Sequence, residues 1–479
     1  MHTPAHSPLD PDDWDAFRRQ SHRMLDDMLD YIEHIRQRPV WQPAPDAVRA
    51  HFSSDLPRAG SDLADAHQIF MDDILPYALG NVHPGFMGWV HGAGTPAGMM
   101  AEMLAAGLNA NLGGRNHMPV EVERQIVRWM RELFGFPDTA NGVFVTGSSM
   151  ANLLAVLVAR TARLGVAVRA DGLAAQQQRL VAYTSRAAHG CIKQAMELSG
   201  LGSAALRTIG TDAAQRMRLD LLQQRIEEDR CAGLLPFFVA GTAGTVDTGA
   251  IDDLQALSVL AKREQLWMHV DGAYGALGML APDIAPLLAG LEQADSVACD
   301  FHKWGQVPYD AGFLLVRDGA LQLDTFAASA AYLQRSDRGM ASSSPWPCDL
   351  GPDLSRGFRA LKTWFTFKVH GTDKLGAAIS ETCRVARYLA ARVEQHEQLE
   401  LLAPVALNIV CLRYRCAYAD HVNREIVADL HESGIAAPST TTVDGKLAIR
   451  AAIVNHRTRE QDVDAMLAAV LAAGAARCP

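Results

Sequence analysis

The sequence predicts an α/β protein: a mostly parallel sheet, preceded by a helical arm and followed by a smaller α+β domain. Three observations carry that prediction. Between about residues 142 and 316, short apolar runs alternate with longer helical patterns, which calls for crossover connections and so for parallel strands. Upstream, apolar residues recur at three- and four-residue steps and then give way to proline-rich stretches. Downstream of about residue 361, helical and strand-like patterns mix in a shorter segment.

Taken in order, Asp10 and Pro11 form a cap and first-turn pair, and Trp14, Phe17, Met24, Leu25, Met28, Leu29, Ile32 and Ile35 make one stripe of a helix. WQPAP and DLPRAG follow, so residues 1–80 read as an arm whose stripe needs another surface, such as a second subunit. Residues 81–360 form the large domain, with GVFV, RLVAYTS, LLPFFVAGT, LWMHVD, DSVACD and AGFLLVRD as its strands. The segment SDRGMASSSPWPCDLGPD leads to the helical RGFRALKTWFTFKVHG. Residues 361–479 then form the small domain, with strand-like LNIVCLRYR and KLAIRAAIV around helix-like VNREIVADLHESG.

Composition narrows the function. With 479 residues, 49% of them hydrophobic, the chain can bury a large core. A formal charge of -10 argues against nucleic-acid and anionic-membrane surfaces, which need excess Lys and Arg on one face. A small-molecule substrate is the expectation. The eight cysteines contain no CxxC pair, so neither a metal cage nor a disulfide framework is indicated, and reduced thiols in the cytoplasm are expected. The first residues, MHTPAHSPLDPDDWD, are acidic and polar where a signal peptide would be basic and then apolar. No apolar run approaches the ~18 residues of a membrane span.

In an open parallel sheet, ligands bind at the carboxyl ends of the strands, so the residues after each apolar run matter most. GVFV is followed by TGSSMANL, where Ser148 and Ser149 open a helix whose free amides could hold a phosphate. RLVAYTS is followed by His189, LLPFFVAG by Thr242 and LWMHV by Asp271. DSVAC is followed by Asp300, His302 and Lys303. Each alone has a plain structural reading: a cap, a surface histidine, a turn, an exposed charged loop. Together they are the set that pyridoxal 5'-phosphate requires. Lys303 would form a Schiff base with the aldehyde, its ammonium losing a proton in a desolvated pocket beside another cation. Asp271 would pair with the pyridine nitrogen and His189 would lie against the ring. Asp271 and Lys303 lie 32 residues apart, about one crossover.

TGSSMANL, SRAAHG, FVAGTAGT, HVDGAYG, DFHKW and SRGFRALKTWF, in this order, make the chain resemble the group II pyridoxal-phosphate-dependent decarboxylases. That family includes aromatic-L-amino-acid, histidine, tyrosine and glutamate decarboxylases. The resemblance implies a fold type I homodimer with a seven-stranded cofactor domain. It implies Lys303 as the Schiff-base lysine, Asp271 as pyridinium partner, His189 as the stacked ring, Thr242 as a hydroxyl contact and Ser148 with Ser149 at the phosphate. A loop tyrosine that protonates the substrate Cα corresponds to Tyr332, in AAYLQRSDRGMASSS.

Three positions depart from the family. Asp300 and Phe301 replace the usual Asn-Pro, and a carboxylate there would be repelled by phosphate unless it turns to another donor. Gly147-Ser148-Ser149 stands where many members have two glycines. Gly113, Gly114 and Arg115 stand where aromatic-acid decarboxylases place a substrate-facing phenylalanine. For the substrate pocket, Phe86 and Trp89 suit an aromatic side chain, whereas Arg115 would suit aspartate or glutamate, or else a subunit salt bridge. Arg450 reads either as a carboxylate contact or as strand packing and a surface ion pair. Decarboxylation of an aromatic L-amino acid is the expectation, with an acidic substrate next. Aminotransferases and carbon-carbon lyases share the Asp and Lys pair, and a non-catalytic scaffold is the remaining alternative. The loop tyrosine and the HKW context favour decarboxylation.

Overall fold

A computed structural model of the chain describes residues 9–328 and 334–478. The first helix, Trp14–Glu33, starts three residues later than the Asp10-Pro11 signal suggests, because Asp13 caps it by accepting the amides of Asp15 and Ala16, both at 2.9 Å. No residue of this helix is buried by its own chain.

Among the described residues, twelve strands form two sheets. They are β1 (Phe86–Met87), β2 (Asn141–Val145), β3 (Leu180–Ser185), β4 (Leu206–Ile209), β5 (Leu235–Thr242), β6 (Trp267–Asp271), β7 (Ser296–Asp300), β8 (Gly312–Val316), β9 (Leu399–Leu401), β10 (Ile409–Tyr414), β11 (Ala437–Val443) and β12 (Lys446–Ala452). The large sheet has the order β2-β8-β7-β6-β5-β3-β4. Neighbours from β4 through β7 run parallel, while β8 runs antiparallel to both β7 and β2. All six apolar runs read from the sequence are strands of this sheet. Its seventh strand, β4, has the sequence LRTI and lies half-exposed at the edge, so it carries no apolar run to detect.

The small sheet has the order β1-β11-β12-β10-β9. Its β1 comes from residues 86–87, in the segment the sequence reading counts with the large domain, and it pairs parallel with Ala437 and Pro438. The helix Arg359–Glu394 joins the two sheets and is broken at Gly371, whose φ of 72° leaves the helical region. Phe301, at the position where proline was expected, is fully buried and stacks on Phe144 at 5.4 Å beneath the sheet. Among the described residues, no helix is long and apolar enough to cross a membrane.

Candidate active site

The parallel register brings the polar strand ends into one line. Thr242 pairs with Asp271 across β5 and β6, Asp271 pairs with Ala298 of β7, and Asp300 ends that strand two residues later. Ser148, Ser149, His189, Thr242, Asp271, Asp300, His302, Lys303 and Trp89 all line a single cavity of about 350 Å³. The structure therefore brings together nine of the residues expected at the site.

Asp300 organises one wall. Its Oδ1 accepts the Ser148 amide at 2.7 Å, and its Oδ2 lies 2.8 Å from Lys303 Nζ. The carboxylate thus turns to a helix N-terminus and to an ammonium, which is the arrangement that keeps it compatible with a nearby phosphate. Lys303 departs from expectation. Burial alone would lower its pKa, but Asp300 first, then Asp271, hold it above the ordinary lysine value. The expected neighbouring cation is replaced by two carboxylates. His302 is buried and accepts the Ala311 amide on Nδ1 at 3.0 Å, a strut for the loop that presents Lys303. Burial lowers the pKa of its imidazole. Trp304 locks the same loop to the small domain, donating its indole N–H to Thr382 Oγ1 at 3.1 Å.

Opposite, burial raises the Asp271 carboxyl, with Lys303 opposing the shift. Its Oδ1 accepts the Ala273 amide at 3.2 Å. The end of β5 is pinned by Asp252, which accepts the Thr242 amide at 2.8 Å and the Met217 amide at 2.6 Å. Burial of the Asp252 carboxyl pushes its pKa up to about 6. His189 accepts the Cys191 amide on Nδ1 at 3.1 Å, leaving Nε2 to carry its hydrogen when neutral.

Polar atoms without partners test whether pyridoxal phosphate fits. Ser148 Oγ, Thr242 Oγ1 and the Tyr274 hydroxyl are buried with no hydrogen-bond partner among the described residues, and all three residues line the cavity. Orphaned hydroxyls of this kind are costly unless a ligand satisfies them. A helix N-terminus that keeps the Ser149 amide unpaired among the described residues, three spare hydroxyls, a lysine and a carboxylate match a group carrying a phosphate, an aldehyde and a ring nitrogen.

Other expectations fall elsewhere. Phe86 is buried behind the cavity wall and stacks on His91 at 5.7 Å, outside the lining. Arg115 also stays outside, with its guanidinium 4.3 Å over the Trp346 ring. Arg450 is buried, and among the described residues it makes no ion pair. It donates to the carbonyls of Val246, Asp247 and Trp89 and to Ser439 Oγ, which is the packing role without the expected surface charge partner. Tyr332 lies outside the described residues. Lining residues that the sequence reading missed are His91, Cys191, Tyr274 and Tyr309. Tyr274 sits inside HVDGAYG and Tyr309 five residues beyond DFHKW, while His91 and Cys191 each follow a recognised residue by two positions.

The model of the pyridoxal-dependent decarboxylase conserved domain matches residues 45–415. An aromatic-L-amino-acid decarboxylase from Bacillus atrophaeus is 31% identical over 460 residues, covering 94% of this chain and 93% of its own. L-2,4-diaminobutyrate decarboxylase from Rhizobium meliloti (strain 1021) is 32% identical over 421 residues, covering 87% and 83%. The fold matches that of Oryza sativa TDC, solved with PLP and tryptamine, at a TM-score of 0.90 and 23% identity, covering 98% of this chain and all of the other. With a fold type I architecture, a cavity suited to the cofactor and a family match over most of its length, the chain belongs to the pyridoxal-dependent decarboxylases and is a pyridoxal-phosphate-dependent amino acid decarboxylase.

Proposed function

We propose that the substrate is an aromatic L-amino acid, converted to its amine and carbon dioxide by a homodimer. The observation that carries this is the cavity wall. Trp89, His91, Tyr274 and Tyr309 line it, and Lys303 is its only lysine or arginine among the described residues. An acidic side chain would need a second cation, and Arg115, the residue expected to supply one, is stacked on Trp346. The His91 imidazole stacks against both Phe86 and Trp89, with burial and then Lys303 lowering its pKa. Neutral rings of this kind favour an aromatic guest.

When bound, the cofactor supplies an aldehyde for amine exchange and a ring that draws off the electrons of the breaking carboxylate bond. The protein does the rest. Lys303 would contribute the amine, and Asp300, at 2.8 Å, is the counter-ion that holds its nitrogen in place at the cavity wall. Asp271 would hold a proton at the ring nitrogen, the Ser148 and Ser149 hydroxyls with the Ser149 amide would hold the phosphate, and Thr242 would supply a further hydroxyl. His189 would cover the ring, and Tyr332 would return a proton to Cα. The strut at His302 holds the loop that presents Lys303, whose side chain is only 23% exposed where it lines the cavity.

The test is an amine-release panel of aromatic amino acids, histidine, aspartate, glutamate and L-2,4-diaminobutyrate, with keto acid measured in parallel. Aromatic amines should form at rates at least about tenfold above the others, the discrimination that about 1.4 kcal/mol of pocket complementarity gives. Preferential turnover of a charged side chain overturns the substrate, and keto acid as the main product overturns the reaction.

A further inference from the structure

We propose that Cys191 is a positioning residue for Asp271, the final donor of a buried hydrogen-bond relay that keeps the Asp271 carboxylate an acceptor for the cofactor's ring nitrogen. This rests on the assignment of Asp271 made above. The relay begins at Trp267, whose indole N–H donates to Ser296 Oγ at 2.9 Å. Ser296 lies 2.8 Å from His269 Nδ1, and His269 Nε2 lies 2.7 Å from Asn152 Oδ1. Asn152 Nδ2 donates to Cys191 Sγ at 3.0 Å, and that sulfur reaches Asp271 Oδ2 at 3.9 Å. It crosses β6, β7 and the helices Ser148–Leu164 and Cys191–Leu198, and every member from Ser296 to Asp271 is buried.

Donor chemistry sets its direction. An indole nitrogen only donates, so Ser296 accepts there and gives its own hydrogen to His269 Nδ1. Burial brings the His269 pKa down to about 3, so the ring is neutral and carries its one hydrogen on Nε2. That hydrogen goes to the Asn152 oxygen, which turns the amide nitrogen toward Cys191. The thiol, pushed up to about 12 by burial and then by Asp271, keeps its hydrogen and has a carboxylate oxygen to give it to. Each Asp271 oxygen therefore has one protein donor: Ala273 N–H on Oδ1 and Cys191 S–H on Oδ2. Lys303, His189 and Asp300 are the charged and titratable groups that also face this carboxylate. Removing the thiol takes a donor from a buried anion, which then competes more strongly for the ring proton.

Cys191→Ala, Cys191→Ser and Asp271→Asn, compared with the parent, test the relay by two readouts other than turnover. One is the dissociation constant of pyridoxal phosphate from the apo-protein, and the other is the pH titration of the bound cofactor's visible band. Cys191→Ala should weaken binding about three- to tenfold, the usual worth of one hydrogen bond. It should also move the band's midpoint to higher pH, because a ring nitrogen that yields its proton to Asp271 withdraws less charge from the lysine linkage. Cys191→Ser, which keeps a donor, should restore both, and Asp271→Asn should move the midpoint further. If Asp271→Asn shifts the midpoint while Cys191→Ala leaves it in place, the relay is overturned and the Asp271 assignment stands. If neither variant shifts it, both fall.

Discussion

Thr242 shows how a binding site is written into a single side chain. Its amide is satisfied by Asp252, yet its hydroxyl is buried with no partner among the described residues, a state that costs the protein about 1–3 kcal/mol until a ligand supplies one. Thr242→Val keeps the shape and removes the hydroxyl. The apo-protein should then become more stable by about 1 kcal/mol in denaturant unfolding, while pyridoxal phosphate binds several-fold more weakly. Loss of apo stability would mean that the hydroxyl has a structural partner after all. Asp271, Lys303 and Thr242 were legible in the sequence because Asp271 and Thr242 end strands and Lys303 follows one by three residues, at the edge of the sheet where side chains face a common crevice. Cys191 and Asn152 were not, since their roles depend on one amide between two helices, and no periodicity encodes that contact. The raised pKa of Lys303 was equally hidden: the sequence places Asp300 three residues away, but only the turn after β7 folds its carboxylate back onto the ammonium.

At the scale of elements, β8 decides where the cofactor loop goes. Residues 301–311 join β7 to β8 without a helix, too short for the dozen or more residues of a parallel crossover, so the strand must turn back antiparallel. The sequence reading grouped AGFLLVRD with the crossover-connected strands and did not draw that direction, and it missed β4 because LRTI at a half-exposed edge has no apolar pattern. β11, with the sequence APSTTTV, was hidden in the same way by its proline and threonines. The first residue of β8, Gly312, lies against the turn that opens the Ser148 helix. A Cβ there would stand 2.4 Å from Gly147 Cα and 2.6 Å from its nitrogen. Both are backbone atoms, so the turn itself would have to move. Gly312→Ala should cost about 1–3 kcal/mol of stability, as overpacking usually does, and should weaken cofactor binding by displacing the Ser148 amide from Asp300. An alanine variant with parental unfolding and parental cofactor affinity would show that the contact is tolerated.

For the whole molecule, the question is what covers the first helix. Trp14 is 56% exposed and Phe17 40% exposed, although the helix has an apolar stripe along its length. Gln20 reaches His67 at 3.1 Å and Asp27 lies within 3.5 Å of the same ring, while Met24, Leu25, Met28 and Ile32 of the stripe are only half-buried. A 20-residue helix draws most of its stability from packing, so one whose stripe its own chain leaves open calls for another surface. Met103, Leu104, Leu108 and Met118 add further exposed apolar side chains between residues 103 and 118. Two copies meeting through both regions would bury the more than about 2,000 Å² typical of obligate dimers. Sedimentation equilibrium should therefore find a dimer at micromolar concentration. The double substitution Trp14→Asp and Phe17→Asp should raise the dimer dissociation constant by about 10² or more, from the loss of roughly 1.5–3 kcal/mol for each buried aromatic. Its far-ultraviolet circular dichroism should lose only the signal of the arm. A parental chain that sediments as a monomer over the same range would overturn the dimer, and would leave the arm's stripe to some other surface.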